Sequence, residues 1–204
     1  MTTAVPRTVL TWAATCFVLL AAGALVFGAV PADTAVREAV LGLATPWVVS
    51  IMRVANRAGD WRVLLPGTLL LFVAFPRARA RWWAWAGLMV CAPMVEWILK
   101  HGVARTRPED ASFGFPSGHA TAAAAFFGAV IYLARELPPA PRALVRVLAV
   151  IGIVLVAVAR VVLRAHWPSD ALAGIALGLA LASIAALVTE HGGPRNGPPY
   201  PPAL

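Results

Sequence analysis

The chain has 204 residues, of which 60% are hydrophobic and 13% charged, and its mean hydropathy is +0.78. Soluble domains carry about 25% charged residues, so the composition excludes a water-soluble globular protein and indicates one helical domain in a membrane. The net charge of +8 would suit nucleic acid in a soluble chain. Here the arginines flank apolar runs, which points to lipid headgroups and phosphates and to no nucleic-acid partner.

Six apolar runs approach the roughly 20 residues needed to cross a bilayer. They cover residues 8–30, 61–75, 82–99, 119–134, 144–163 and 169–188. The first follows Arg7 and exceeds the roughly 7–15 residues of a signal-peptide core, so a retained transmembrane helix is expected there. Residues 31–60 are mixed in polarity, with Trp47, Ile51 and Met52 interleaved with Ser50, Arg53 and Arg57. That pattern predicts an amphipathic helix lying at the membrane surface. Residues 192–204 are rich in Pro and Gly and are expected to form a disordered tail behind a single domain of residues 1–191. The expected fold is therefore all-α: a polytopic membrane bundle of six transmembrane helices with an interfacial helix between the first and second.

Cys16 and Cys91 both fall in apolar runs, as packing residues do, and no CxxC or HExxH pattern suggests a metal. Ala120, Ala122, Ala123, Ala124 and Ala125, and the pair Gly174 and Gly178, are either built for close helix contact or simply part of an alanine-rich composition. Arginines are nearly balanced between the two sides. Discounting those near the histidine motifs described next places both termini in the cytoplasm and the motifs on the outer face.

Three short stretches carry the chemistry. The first is Lys100, the sole lysine, followed after six residues by Arg107-Pro108. The second is Pro116-Ser117-Gly118-His119. The third is Arg160, His166 and Asp170. Hydrolysis of a phosphate ester needs cations around the non-bridging oxygens, a nucleophile, and an acid for the departing oxygen. Lys100, Arg107 and Arg160 can form the cationic cradle. Ser117 and Gly118 stand where a helix starts, a ready anion site with free N–H groups; Ser117 can cap that helix and Gly118 lets the backbone come close. His166 and Asp170 are four apart and share a face if both lie in the sixth helix. A carboxylate there can orient the imidazole. From the residues alone, either histidine could attack.

Order and spacing together resemble the three-part signature of the type 2 phosphatidic acid phosphatase superfamily. The resemblance implies a membrane phosphatase acting on a lipid phosphate or pyrophosphate without a cofactor or metal. It implies His166 as the nucleophile that becomes phosphohistidine, Asp170 as its orienting partner and His119 as general acid. Lys100, Arg107, Ser117, Gly118 and Arg160 would bind phosphate. The chain departs from the family pattern at Ala159, where Ser is frequent, and at Arg164, where Gly is frequent. Arg164 is a candidate contact for a second phosphate or a headgroup.

The expected substrates are a polyprenyl pyrophosphate, phosphatidate or phosphatidylglycerol phosphate in the outer leaflet of a bacterial plasma membrane. The alternatives are a phosphotransferase that passes the phosphoryl group to a hydroxyl acceptor and a non-catalytic phosphate-binding membrane protein. Glu96, an acid inside the third span, is either a functional residue or an ion-pair partner of Lys100 one turn later. Asn56, Arg57 and Asp60, before the second span, either line a substrate entrance or, as the better reading, belong to an exposed polar loop.

Overall fold

A computed structural model describes residues 4–29 and 31–191. It is all-helical: α1 (Ala4–Phe27), α2 (Pro31–Gly42), α3 (Pro46–Asn56), α4 (Trp61–Ala74), α5 (Pro76–Ala80), α6 (Trp82–Val103), α7 (Gly118–Leu133), α8 (Pro139–Val162) and α9 (Pro168–His191). Single 3-10 turns follow α3 and α7, at Arg57–Gly59 and Ala134–Glu136. Proline opens α3, α5, α8 and α9, where its missing N–H is no loss and its φ is already helical.

The six expected spans are all helical, and four of them are long enough by themselves to cross a bilayer. Among the described residues α1, α6, α8 and α9 are long and apolar enough to cross a bilayer, and α2 with α3 gives a fifth candidate if the bent pair is one span. α4 has 14 residues and α7 has 16, which at 1.5 Å per residue reach about 21 and 24 Å against a hydrocarbon core of about 30 Å. α4 stops at the Phe75-Pro76 junction, because the residue before a proline is pushed out of the helical region. The single surface helix expected in residues 31–60 is two helices, α2 and α3, meeting at 115°. Pro46 breaks the run in the same way. The proposed tail, 192–204, lies outside the described residues.

Many large apolar side chains face outward, among them Leu19, Leu70, Ile98, Leu148 and Val154. A soluble protein does not expose so much apolar surface; a membrane protein turns it to lipid. Cys16 and Cys91 are free and lie on that outer surface, so they are not core packing residues. The interior is small: α7 and α9 pack most extensively, α1 lies on α9, and α6 and α8 flank α7. A Cβ on Gly174 would sit 2.6 Å from the Ser117 carbonyl oxygen, and one on Gly178 would sit 2.6 Å from Ala124 Cβ. Close helix contact is thus built into these two positions. It brings the start of α9 against the start of α7, where two of the three motifs lie.

Candidate active site

Lys100 occupies the last turn of α6, which ends at Ala104 in the left-handed region (φ 51°). The chain then folds back through a Thr106–Phe113 bridge, with Arg107 N donating to Ser112 O (3.0 Å) and Gly114 N to Arg105 O (2.7 Å). This tight loop carries Arg107 and delivers Ser117 to the start of α7. Ser117 N donates to Asp170 O at 2.9 Å, which ties the second motif to the third.

Ser117 stands at the N-cap position but its hydroxyl does not cap the helix. That corrects the capping role expected from the sequence. Oγ is fully buried and has no partner, an arrangement that leaves a desolvated hydroxyl unsatisfied at about 1–3 kcal/mol. Gly118 is glycine for a contact on the protein side: a Cβ there would come 3.1 Å from Glu96 Oε1. Glu96 is buried and pairs with Lys100.

His166 does not lie in a helix with Asp170. It sits in the turn between α8 and α9, because α9 starts only at Pro168. The turn is held by Ala165 N and His166 N donating to Arg160 O (3.0 and 3.2 Å). His166 Nδ1 is 3.4 Å from Asp170 Oδ2, within ion-pair range but outside hydrogen-bond geometry, and it has no other partner. Burial pushes the His166 pKa below the ordinary histidine range; the Arg160 and Arg107 charges act the same way and Asp170 opposes them. Arg160 donates to Asn56 Oδ1 at 2.9 Å. His119 lies within electrostatic reach of Arg160, His166, Lys100 and Asp60. The fold therefore gathers Lys100, Arg107, Ser117, Gly118, His119, Arg160, His166 and Asp170 at one end of the bundle. Arg164, with φ at 59°, stays at the rim, exposed and paired with Glu109 at 3.1 Å.

Two residues that belong to none of the three motifs complete the site. Arg105, buried, donates through Nη1 to Asp170 Oδ1 (3.0 Å) and Ser169 Oγ (2.6 Å), and through Nη2 to Asp33 Oδ2 (2.6 Å). Asp33, on α2, also accepts from Ser169 N (2.8 Å) and Ser169 Oγ (2.7 Å). Trp167 N donates to Asp170 Oδ2 at 3.0 Å. The only signal for Arg105 was its place two residues before Arg107; Asp33 had none. Residues 56–60 are likewise no exposed loop: Asn56 holds Arg160, Gly59 is buried against the His119 backbone, and Asp60 caps α4 by accepting from Arg62 N (2.9 Å).

From His119 a cavity of about 530 Å³ runs between α4, α6 and α7. Leu65, Leu69, Phe72, Met89 and Val90 give it an apolar lining, to which His119, Gly118, Glu96 and Asp60 also contribute.

A sequence model described as the PAP2 superfamily matches residues 109–191. The chain is 30% identical over 176 residues to phosphatidylglycerophosphatase B of Bacillus subtilis, a match covering 81% of this chain and 87% of that one. It is 33% identical over 148 residues to decaprenylphosphoryl-5-phosphoribose phosphatase of Mycobacterium tuberculosis, covering 67% of this chain and 73% of the relative. The crystal structure of a transmembrane PAP2 type phosphatidylglycerolphosphate phosphatase from Bacillus subtilis superposes with a TM-score of 0.75 at 26% identity, covering 93% of this chain and 98% of that one.

Proposed function

The chain belongs to the PAP2 superfamily and is an integral membrane lipid phosphatase, and from that premise we propose that it cleaves a lipid phosphate through a phosphohistidine on His166. In the first step the free ring nitrogen, Nε2, attacks phosphorus as the bond to the leaving oxygen breaks, and His119 gives that oxygen a proton. Asp170 orients the His166 ring. In the second step His119 takes a proton from water, water attacks the phosphohistidine, the P–N bond breaks and inorganic phosphate departs. Lys100, Arg107, Arg160, the Ser117 hydroxyl and the N–H groups at Gly118 hold the non-bridging oxygens. Arg164 meets the headgroup at the rim once it leaves Glu109.

The observation that carries this reading is the apolar cavity that begins at His119. A substrate bound with its phosphorus among the cations has its leaving group directed there, so its tail remains in an apolar environment during the reaction. The relatives named for phosphatidylglycerophosphate and for decaprenylphosphoryl-5-phosphoribose suit such a cavity. Phosphatidylglycerol phosphate, phosphatidate and a polyprenyl pyrophosphate are the substrates proposed here, presented at the outer leaflet of the plasma membrane with both termini cytoplasmic. The test is phosphate release by purified protein in detergent and EDTA, with His166→Ala alongside. Release from at least one lipid that disappears in the variant supports the proposal. Activity that EDTA abolishes, or that survives in His166→Ala, overturns the mechanism.

A further inference from the structure

Four of the cations around the site already have an acid beside them. Lys100 pairs with Glu96, Arg105 with Asp33 and Asp170, Arg107 with Asp110 at 3.6 Å, and Arg164 with Glu109 at 3.1 Å. Arg160 differs. Its Nη1 donates to a neutral amide, Asn56 Oδ1, at 2.9 Å. Its Nε is buried without a partner, and the neighbouring charge that acts on it is a second cation, Arg107. Arg160 in turn acts on both His119 and His166. An uncompensated guanidinium therefore stands where the phosphoryl group must sit.

The place of Asn56 is set by more than that hydrogen bond. Asn56 ends α3, and the 3-10 turn after it buries Gly59. A Cβ on Gly59 would lie 2.7 Å from the His119 carbonyl oxygen and 2.9 Å from Val156 Cγ1, so the end of α3 is seated closely on α7 and α8. Asn56 is thus the fixed partner and the long Arg160 side chain the one that is held. Aspartate has almost the same shape and would bind a guanidinium more strongly, through a bond charged on both sides. It would also cancel the charge that a phosphate needs and set an anion beside the incoming one. An amide offers the same acceptor without a charge. We propose that Asn56 is a positioning residue that fixes the Arg160 guanidinium without neutralising it, so that Arg160 meets the phosphoryl group with its full charge. The proposal rests on the phosphatase reading above and identifies what readies its cradle.

The experiment measures kcat and KM on one lipid, and inhibition by inorganic phosphate, for wild type, Asn56→Asp and Asn56→Ala in one detergent, with a melting curve of each. Asn56→Asp keeps the contact and adds a charge. It is expected to melt no lower than Asn56→Ala, yet to raise KM and the phosphate inhibition constant by about tenfold or more. Asn56→Ala loses the anchor and adds no charge, so it should raise both by less and lower kcat instead. A residue that served stability alone predicts the reverse order, because aspartate keeps the contact and alanine removes it. Asn56→Asp with the phosphate affinity of the wild type, or with a higher affinity than Asn56→Ala, overturns the inference and leaves the phosphatase reading standing. Asn56→Asp that melts below Asn56→Ala also overturns it, since a carboxylate facing an unpaired guanidinium should hold the fold. No release from the lipid by the wild type defeats the phosphatase reading itself, and this inference with it.

Discussion

Asp33 on α2 and Asp170 on α9 hold opposite ends of one guanidinium, that of Arg105. All three side chains are buried, so each carboxylate depends on the same cation for its compensation. Asp170 Oδ1 is taken by Arg105 and Oδ2 by Trp167 N, which fixes the carboxylate plane facing His166. Asp33 acts one step further out: it sets Arg105, and Arg105 sets Asp170.

Asp33→Asn and Arg105→Lys are therefore expected to lower kcat with little change in KM. Hydrogen bonds to charged groups contribute about 1.5–3 kcal/mol, and the loss of orientation should lower kcat about tenfold or more. Arg105→Ala would leave two buried carboxylates unpaired and cost about 3–5 kcal/mol of stability, so the conservative change is the informative one. Steady-state kinetics on one lipid, with a melting curve of each variant, checks this. A rise in KM with kcat intact would place Arg105 among the phosphate binders instead.

The direction of the His166 shift has a consequence for pH. Its folded-state pKa lies below the ordinary value because of burial first, then the Arg160 and Arg107 charges. The neutral ring needed for attack thus persists as pH falls through about 6.5, the unperturbed histidine value, and is lost only below it. Stability follows with the opposite cost. The unfolded chain takes up this proton near 6.5 and the folded chain does not, so folding weakens as pH falls from there towards the folded pKa. A ¹⁵N-histidine NMR titration, with His166→Ala to assign the signal, should give a midpoint below 6.5. A midpoint at or above that value would contradict the buried, cation-flanked setting.

His119 and His166 can be separated by leaving-group chemistry. If His119 supplies the proton, His119→Ala should slow first-turnover release of the alcohol from a lipid alkyl phosphate by about 10²–10⁴-fold, and first-turnover release of nitrophenol, whose departure needs no proton, by far less. The same variant should accumulate label on His166 when given a ³²P-labelled nitrophenyl ester, because the water that clears the intermediate has lost its base. Equal slowing of the first turnover for both esters would remove His119 from the acid role.

Much of the site was legible because its chemistry is local in sequence. Lys100 and Arg107, Pro116 to His119, and Arg160 to Asp170 each carry a recognisable type and spacing. What joins them is not local. Asp33 meets Arg105 across 72 positions and Asn56 meets Arg160 across 104, and no periodicity marks an acid or amide that will become a partner so far away. The helices were visible as apolar runs, and runs 61–75 and 119–134 match α4 and α7 to within one residue, but hydropathy does not show that residues 31–60 break into two helices meeting at 115°. Ser117 misled for a related reason: its place at a helix start implied a cap, while the fold buries the hydroxyl and leaves it unpartnered.

The packing of α9 on α7 offers a test independent of activity. Alanine at Gly178 would drive its Cβ into the Thr121 carbonyl oxygen and to 2.6 Å from Ala124 Cβ, contacts with backbone and helix that cannot swing aside. Overpacking of this kind typically costs about 1–3 kcal/mol. Gly174→Ala meets the Ser117 carbonyl at 2.6 Å and should cost a similar amount, but it also presses on the residue that opens the second motif. Gly23 on α1 is the control: nothing lies within 4 Å of its added Cβ, and in a helix interior alanine is favoured over glycine by about 1 kcal/mol. Thermal unfolding in one detergent should rank Gly23→Ala at or above wild type and both α9 variants below it. Of the α9 variants, Gly174→Ala should lose more phosphatase activity at a temperature where both remain folded. Equal activity in the two folded variants would show that the α7–α9 contact supports the bundle without setting the geometry at Ser117.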